Sequence, residues 1–264
     1  MRHLTTLFLA ALLSCGFYAN AAFAQSTPAP LTIAAATNLA DVIELLDASF
    51  VQQNPDAAVK VSTGSSGNFY AQIKNGAPFD VFISADMDFP RKLIAEGEAQ
   101  ADSLLLYAIG RLALWSTNPA VDVSRGLLCL TQPQVHKIAI ANTETAPYGR
   151  AAKATLESTH LWKPLQGELV TGETISQAAQ FVQTGNADVG FVAYSTLKSP
   201  RLAGVGQFWL VPLSVHPPLE QGAVITQHGE NNPLSAKYLA FLKSAGAQAI
   251  FGQYGYSMAS AVQH

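Results

Sequence analysis

The chain has 264 residues, 49% hydrophobic and 12% charged, with 15 Lys and Arg against 18 Asp and Glu for a net charge of −3. That is enough to bury a sizeable core in one large domain or two lobes. No cluster of Lys and Arg is present to neutralise a phosphate backbone, which excludes nucleic acid as a partner. The chain opens as an export signal: Arg2 and His3 precede a mostly apolar run from Leu4 to Phe17, and Ala22-Phe23-Ala24 forms a small-x-small cleavage site before Gln25. This run is too short to span a membrane. Cleavage after Ala24, with residues 1–24 as signal peptide, predicts an exported, periplasmic protein. Leu12-Leu13-Ser14-Cys15 offers the competing reading, a lipoprotein site with Cys15 carrying the lipid. With the signal removed, Cys129 stands alone, so no disulfide and no cysteine-based metal site can form within the chain. Between Leu128 and Leu130 it is expected to be a small buried hydrophobe.

After a linker at Thr27-Pro28-Ala29-Pro30, strand-like and helical runs alternate. Strands are predicted over 31–35, 58–62, 81–84, 112–116, 137–141 and 189–193, and helices over 39–50, 68–75, 89–95, 149–156 and 175–183. This rhythm predicts an α/β fold with largely parallel sheets. Two extended segments differ: 107–115 is apolar but for Arg111, and 221–226 precedes helices around 235–243 and 247–254. If the first leaves one lobe and the second returns to it, residues 28–108 and 221–264 form one lobe and 109–220 the other. A single nine-stranded sheet fits the pattern nearly as well.

Two polar turns stand out, Ala36-Thr37-Asn38 and Gly64-Ser65-Ser66-Gly67, each between a strand-like run and a helical one. A helix start has unpaired N–H groups and a partial positive charge. Thr37, Ser65 and Ser66 are therefore ordinary helix caps, or donors to a bound anion. Thr145-Ala146-Pro147-Tyr148-Gly149 and Thr171-Gly172-Glu173-Thr174-Ile175-Ser176 repeat the arrangement in the second half. Four such openings, converging, would surround an oxyanion with neutral donors.

Residues 31–258 resemble the periplasmic molybdate-binding proteins of ABC-type importers. The likeness is carried by Ala34-Ala35-Ala36-Thr37-Asn38, Gly64-Ser65-Ser66-Gly67, the run from Ile73 to Asp86, Tyr107-Ala108-Ile109-Gly110, Ala146-Pro147-Tyr148-Gly149, Ala187-Asp188-Val189-Gly190-Phe191-Val192 and Gln221-Gly222-Ala223-Val224. The resemblance implies the two-lobed type II periplasmic binding fold, each lobe a mostly parallel sheet flanked by helices, with a two-strand hinge. It implies a receptor for molybdate and tungstate, a monomer without cofactor, that delivers its ligand to a membrane permease. Its oxyanion contacts fall on Thr37 and Ser66 through hydroxyl and N–H, and on the N–H groups of Tyr148 and Ile175. Asn38 is a further donor by the same resemblance, and Tyr194 is a candidate one residue beyond the position where some relatives carry a tyrosine. The only metal expected is that of the oxyanion, held by Thr37, Ser66, Tyr148 and Ile175.

A donor-only shell suits fully ionised dianions over phosphate, which keeps a proton near neutral pH and needs a facing acceptor. Sulfate is set apart from molybdate by cavity size alone, so a sulfate receptor stays open. Glu144 and Glu173 are expected to be solvated loop residues, and Asp80, Asp86 and Asp88 to be caps. An enzyme is the competing class, a serine hydrolase using the Gly64–Gly67 turn. However, Gly-x-Ser-x-Gly is absent and none of the six histidines stands in a recognisable base arrangement.

Overall fold

The structure, a computed structural model, describes residues 29–257. The expected signal segment, with its Ala24 and Cys15 alternatives, lies outside the described residues. In chain order the first part runs β1 (Leu31–Ala36), α1 (Ile43–Gln53), β2 (Val59–Gly64), α2 (Ser66–Lys74), β3 (Val81–Ile83), α3 (Asp88–Ala95) and β4 (Leu105–Gly110). The middle follows as β5 (Leu112–Ser116), β6 (Ile138–Ala141), α4 (Pro147–Ser158), α5 (Trp162–Leu165), β7 (Leu169–Gly172), α6 (Ile175–Gln183), β8 (Val189–Ala193), α7 (Tyr194–Leu197) and β9 (Gln207–Leu210). The chain ends in β10 (Leu219–Ile225), α8 (Pro233–Leu242) and α9 (Ala245–Gln253).

The strands form two five-stranded sheets, in the orders β2-β1-β3-β10-β4 and β7-β6-β8-β5-β9. Consecutive strands change sheet between Gly110 and Leu112, and again between Leu210 and Leu219. Each sheet pairs three strands in parallel, β2-β1-β3 and β7-β6-β8, as expected where helices cover the crossovers. The sheets are mixed rather than mostly parallel, because β10 runs antiparallel to β3 and β4, and β5 to β8 and β9. The antiparallel strands include those that carry the chain between the sheets, where direction is set by the crossing and not by a helical return. Two edge strands, β7 and β9, were not among the sequence expectations. Gln207 and Phe208 of β9 are exposed, so no buried run marks it.

Each lobe has its own core. Ile43, Leu46 and Phe50 recur at helical spacing on α1 and share a core with Tyr238 and Phe241 of α8, both of which Phe50 meets edge-on. In the second lobe Leu112, Leu114, Ile138, Ile140 and Phe191 pack beneath α4. Cys129 is fully buried in this cluster, as expected for a hydrophobe, and burial pushes its thiol up to about 11.

Candidate functional site

The helix starts that follow β1, β2, β6 and β7 meet between the sheets. Around them lies a small cavity of about 10 Å³, lined by Thr37, Asn38, Ser65, Ser66, Ala85, Tyr148 and Ile175 among others. None of its eleven lining residues carries a charge. Five of the six residues singled out in the sequence are thus brought to one place.

The local chemistry separates donors from caps. Ser65 is the N-cap of α2, yet its side chain makes no capping bond, and its Oγ is buried without a partner. Ser66 opens α2, so its N–H has no intrahelical acceptor. Its Oγ accepts the Ala85 N–H at 3.0 Å, which orients the hydroxyl and leaves its proton to donate. Thr37 begins a short 3-10 turn that also lacks a side-chain cap. Pro147 occupies the first turn of α4 beside Tyr148, where its missing N–H costs nothing. On α6, Thr174 accepts the Gln177 N–H at 3.1 Å, which satisfies one orphan donor and spares that of Ile175 at the first position.

Asn38 needs a correction. Its side-chain amide donates to Gln221 Oε1 and to the Tyr256 hydroxyl, both at 2.9 Å, so its donors are spent inside the protein. Its carbonyl oxygen accepts from Ser195 Oγ at 2.8 Å and from Tyr256 at 2.9 Å, while Asn38 Oδ1 is buried without a partner. Tyr194 does not line the cavity. β8 ends at Ala193, Tyr194 begins α7, and its ring lies 5.3 Å from Phe208 with Lys198 Nζ 5.5 Å from its centroid. Ser65, offered by the sequence as a cap or an anion donor but absent from the contacts that the resemblance implies, is a further contact candidate. Two adjacent serines are alike in sequence, and only the buried, unpartnered Oγ distinguishes the first.

The two lobes close over the cavity through direct bonds. Gly67 N–H donates to the Thr145 carbonyl at 2.8 Å, and Ser176 Oγ to the Thr37 carbonyl at 3.0 Å. A Cβ on Gly67 would stand 2.8 Å from Thr145 Cα, so this approach requires glycine. Asn68 Nδ2 donates to Glu173 Oε1 at 2.9 Å, Arg201 pairs with Asp41 at 2.8 Å, and Arg150 pairs with Asp86. Both arginines come from the second lobe and both aspartates from the first. Asp86 also accepts the Phe89 N–H at the start of α3, as a cap should, and burial raises its carboxyl above the usual range. Asp80, by contrast, is no helix cap: it accepts from the Thr32 N–H and hydroxyl at 2.6 and 2.7 Å and ties down the start of β1. Glu144 and Glu173 are exposed, as loop residues should be. Among the described residues no histidine is hydrogen-bonded to Ser65 or Ser66; His216 bonds the Pro217 carbonyl, and His228 lies 3.9 Å from Asp80.

Comparison with known proteins places this geometry in a family. A family model described as bacterial extracellular solute-binding protein matches residues 31–257. The molybdate-binding protein ModA of Rhodobacter capsulatus is 40% identical over 223 residues, covering 84% of this chain and 86% of that protein. ModA of Azotobacter vinelandii is 39% identical over 251 residues, covering 95% and 97%. The solved periplasmic molybdate-binding protein of Azotobacter vinelandii superposes with a TM-score of 0.81 at 36% identity, covering 86% of this chain and 99% of that one. The sulfate-binding protein SubI of Mycobacterium tuberculosis shares the fold alone, with a TM-score of 0.68 at 13% identity. The chain is a member of the bacterial extracellular solute-binding protein family, in the group of the ModA proteins.

Proposed function

We propose that this protein is a periplasmic receptor that binds molybdate, and tungstate with it, between its lobes and delivers the ion to the membrane permease of an ABC importer. The observation that carries the reading is the placing of Thr37, Ser65 and Ser66: three hydroxyl residues at helix starts in an uncharged cavity, of which Ser65 holds a cap position without making a capping bond. The proposed shell consists of the hydroxyls of Thr37, Ser65 and Ser66 with the N–H groups of Thr37, Ser66, Tyr148 and Ile175. Asn38 shapes the first turn through its internal bonds. Neutral donors in a desolvated site hold a dianion without a buried countercharge, because the oriented peptide dipoles complete its shell.

The anion meets donors from both lobes only when these are closed, so binding shifts the population towards the closed form. The permease then recognises that form. Nothing in this cycle breaks a covalent bond, and the protein acts as a monomeric receptor without cofactor or catalysis. Export follows from cleavage after Ala24.

One observation favours a second ligand. The orphan Asn38 Oδ1 is an acceptor, and a protonated tetrahedral anion such as hydrogen phosphate could donate to it. Calorimetric titration with molybdate, tungstate, sulfate and phosphate separates the two. Tight binding of molybdate and tungstate, weaker binding of sulfate and no heat with phosphate is the expected result. Phosphate binding without molybdate binding would overturn it. In a thermal melt, molybdate at about 100 times its dissociation constant adds roughly 2.7 kcal/mol of stability.

A further inference from the structure

Gln221 is fully buried on β10, the strand by which the chain re-enters the first sheet. Its Oε1 accepts from Asn38 Nδ2 at 2.9 Å and from the Tyr107 hydroxyl at 2.7 Å, both in the first lobe. Its Nε2 donates to the Tyr148 hydroxyl in the second lobe at 3.1 Å. One carboxamide therefore touches Asn38 and Tyr148, two residues that line the cavity from opposite lobes. The backbone is adapted to this contact. The pairing of β10 with β4 shifts register between Gln221 and Gly222, and such a bulge re-aims the side chain it carries. On β4, Gly110 leaves the space open: a Cβ there would lie 2.2 Å from Tyr148 Oη and 2.4 Å from Gln221 Nε2. Burial holds the Tyr107 and Tyr148 hydroxyls well above their ordinary range, so both remain protonated neutral partners.

A carboxamide at this junction is chemically asymmetric in the way the site needs. Its oxygen takes the two first-lobe donors while its amino group is left for the second lobe, so the bonds cannot be redistributed without leaving a buried group unpaired. A leucine of similar length would leave one Asn38 Nδ2 hydrogen and the Tyr148 hydroxyl without partners together.

We propose that Gln221 is a positioning residue of the anion cavity, fixing the spacing between the Asn38 turn of the first lobe and Tyr148 of the second, and thereby the size of ion the cavity accepts. This rests on the cavity being the oxyanion site. Gln221 touches the walls and acts on the ligand through them.

The test titrates Gln221→Leu, Tyr148→Phe and the double variant with molybdate and with sulfate, next to the parent protein. Gln221→Leu is expected to lose about ten- to a hundredfold in molybdate affinity and much less for sulfate, so that the preference between the two ions narrows. The double variant is expected to be little worse than Gln221→Leu, because both changes remove one shared contact. Gly110→Ala, which displaces both groups without deleting either, is expected to narrow the preference too, and it serves where Gln221→Leu does not fold. Parent-like molybdate affinity in a folded Gln221→Leu or Gly110→Ala variant would overturn the proposal. Equal losses for both ions, additive with Tyr148→Phe, would do the same by reducing Gln221 to a general stabiliser. A parent protein that binds neither ion refutes the site itself, an outcome distinct from any of these.

Discussion

Helix starts in this protein fall into two groups that use the same residue types in opposite ways. Away from the cavity the polar side chain turns back onto its own helix. Asn232 accepts the Leu234 N–H at 3.1 Å, Ser244 accepts the Ala247 N–H at 3.2 Å, and Asp122 accepts the Ser124 N–H at 3.1 Å. At the cavity Ser65 holds the N-cap position of α2 and makes no such bond, while Thr37 and Ser66 each occupy the first helical position. A Ser, Thr or Asn cap is worth about 1 kcal/mol to a helix, so Ser65 forgoes stability that Asn232, Ser244 and Asp122 collect. Thr174 shows the intermediate case, capping one N–H of α6 and leaving that of Ile175 at the cavity. The lesson is that a serine before a helix is informative only once its hydroxyl has been followed to its partner.

Substitutions in the two groups should therefore separate binding from stability. The largest effect on binding is expected at Ser66→Ala, which removes a charge-assisted hydrogen bond worth roughly 1.5–3 kcal/mol. It also leaves the Ala85 N–H without its acceptor, so the ligand-free melting temperature should fall with the affinity. Ser65→Ala comes next, with molybdate affinity falling about tenfold, or roughly 1.4 kcal/mol. Because it deletes a buried hydroxyl that has no partner, the ligand-free protein should be as stable as the parent or more so. Loss of stability with unchanged affinity would return Ser65 to the ordinary caps. Ser244→Ala should do what Ser65→Ala does not: cost about 1 kcal/mol of stability, lower Tm by about 2–4 °C and leave the titration unchanged.

The smallest expected effect is a pH dependence far from the cavity, at a polar group buried for structure alone. Asp47 accepts a hydrogen bond from Tyr238 at 2.6 Å, and burial, with Glu44 nearby, pushes its carboxyl up to about 6 despite that bond. A carboxyl raised in the folded state binds its proton more tightly there than in the unfolded chain. Its contribution is therefore most favourable at low pH and declines as pH rises towards 6. Asp47→Asn should raise Tm at neutral pH, with the gain shrinking as the pH approaches about 4. A gain independent of pH would contradict this cause.

Much of the fold was legible because strands buried on both faces are short apolar runs. β1, β3, β5, β6 and β8 are fully or almost fully buried, and each falls on such a run. The edge strands of the second sheet were not legible: Leu169 and Val170 of β7 are half-buried, and β9 opens on two exposed residues. The 107–115 run is apolar throughout because it spans two sheets, with β4 and β5 parted only by Arg111. At the site, Thr37, Ser66, Tyr148 and Ile175 could be placed on the cavity because each stands at a helix start, a position that sequence encodes well. The side-chain partners of Asn38 and Tyr194 were not legible for one shared reason. What their side chains touch depends on partners distant in the chain, Gln221 and Tyr256 for the first and Phe208 for the second.

The central claim is that uncharged donors from both lobes hold the anion. A crystal structure of the protein with molybdate tests it most directly. The account predicts the ion between the lobes, within hydrogen-bond distance of the Thr37, Ser65 and Ser66 hydroxyls and of the Tyr148 and Ile175 N–H groups, with Arg150 still paired to Asp86. An ion bound elsewhere, or one gripped by Arg150 or any other cationic side chain, would contradict it.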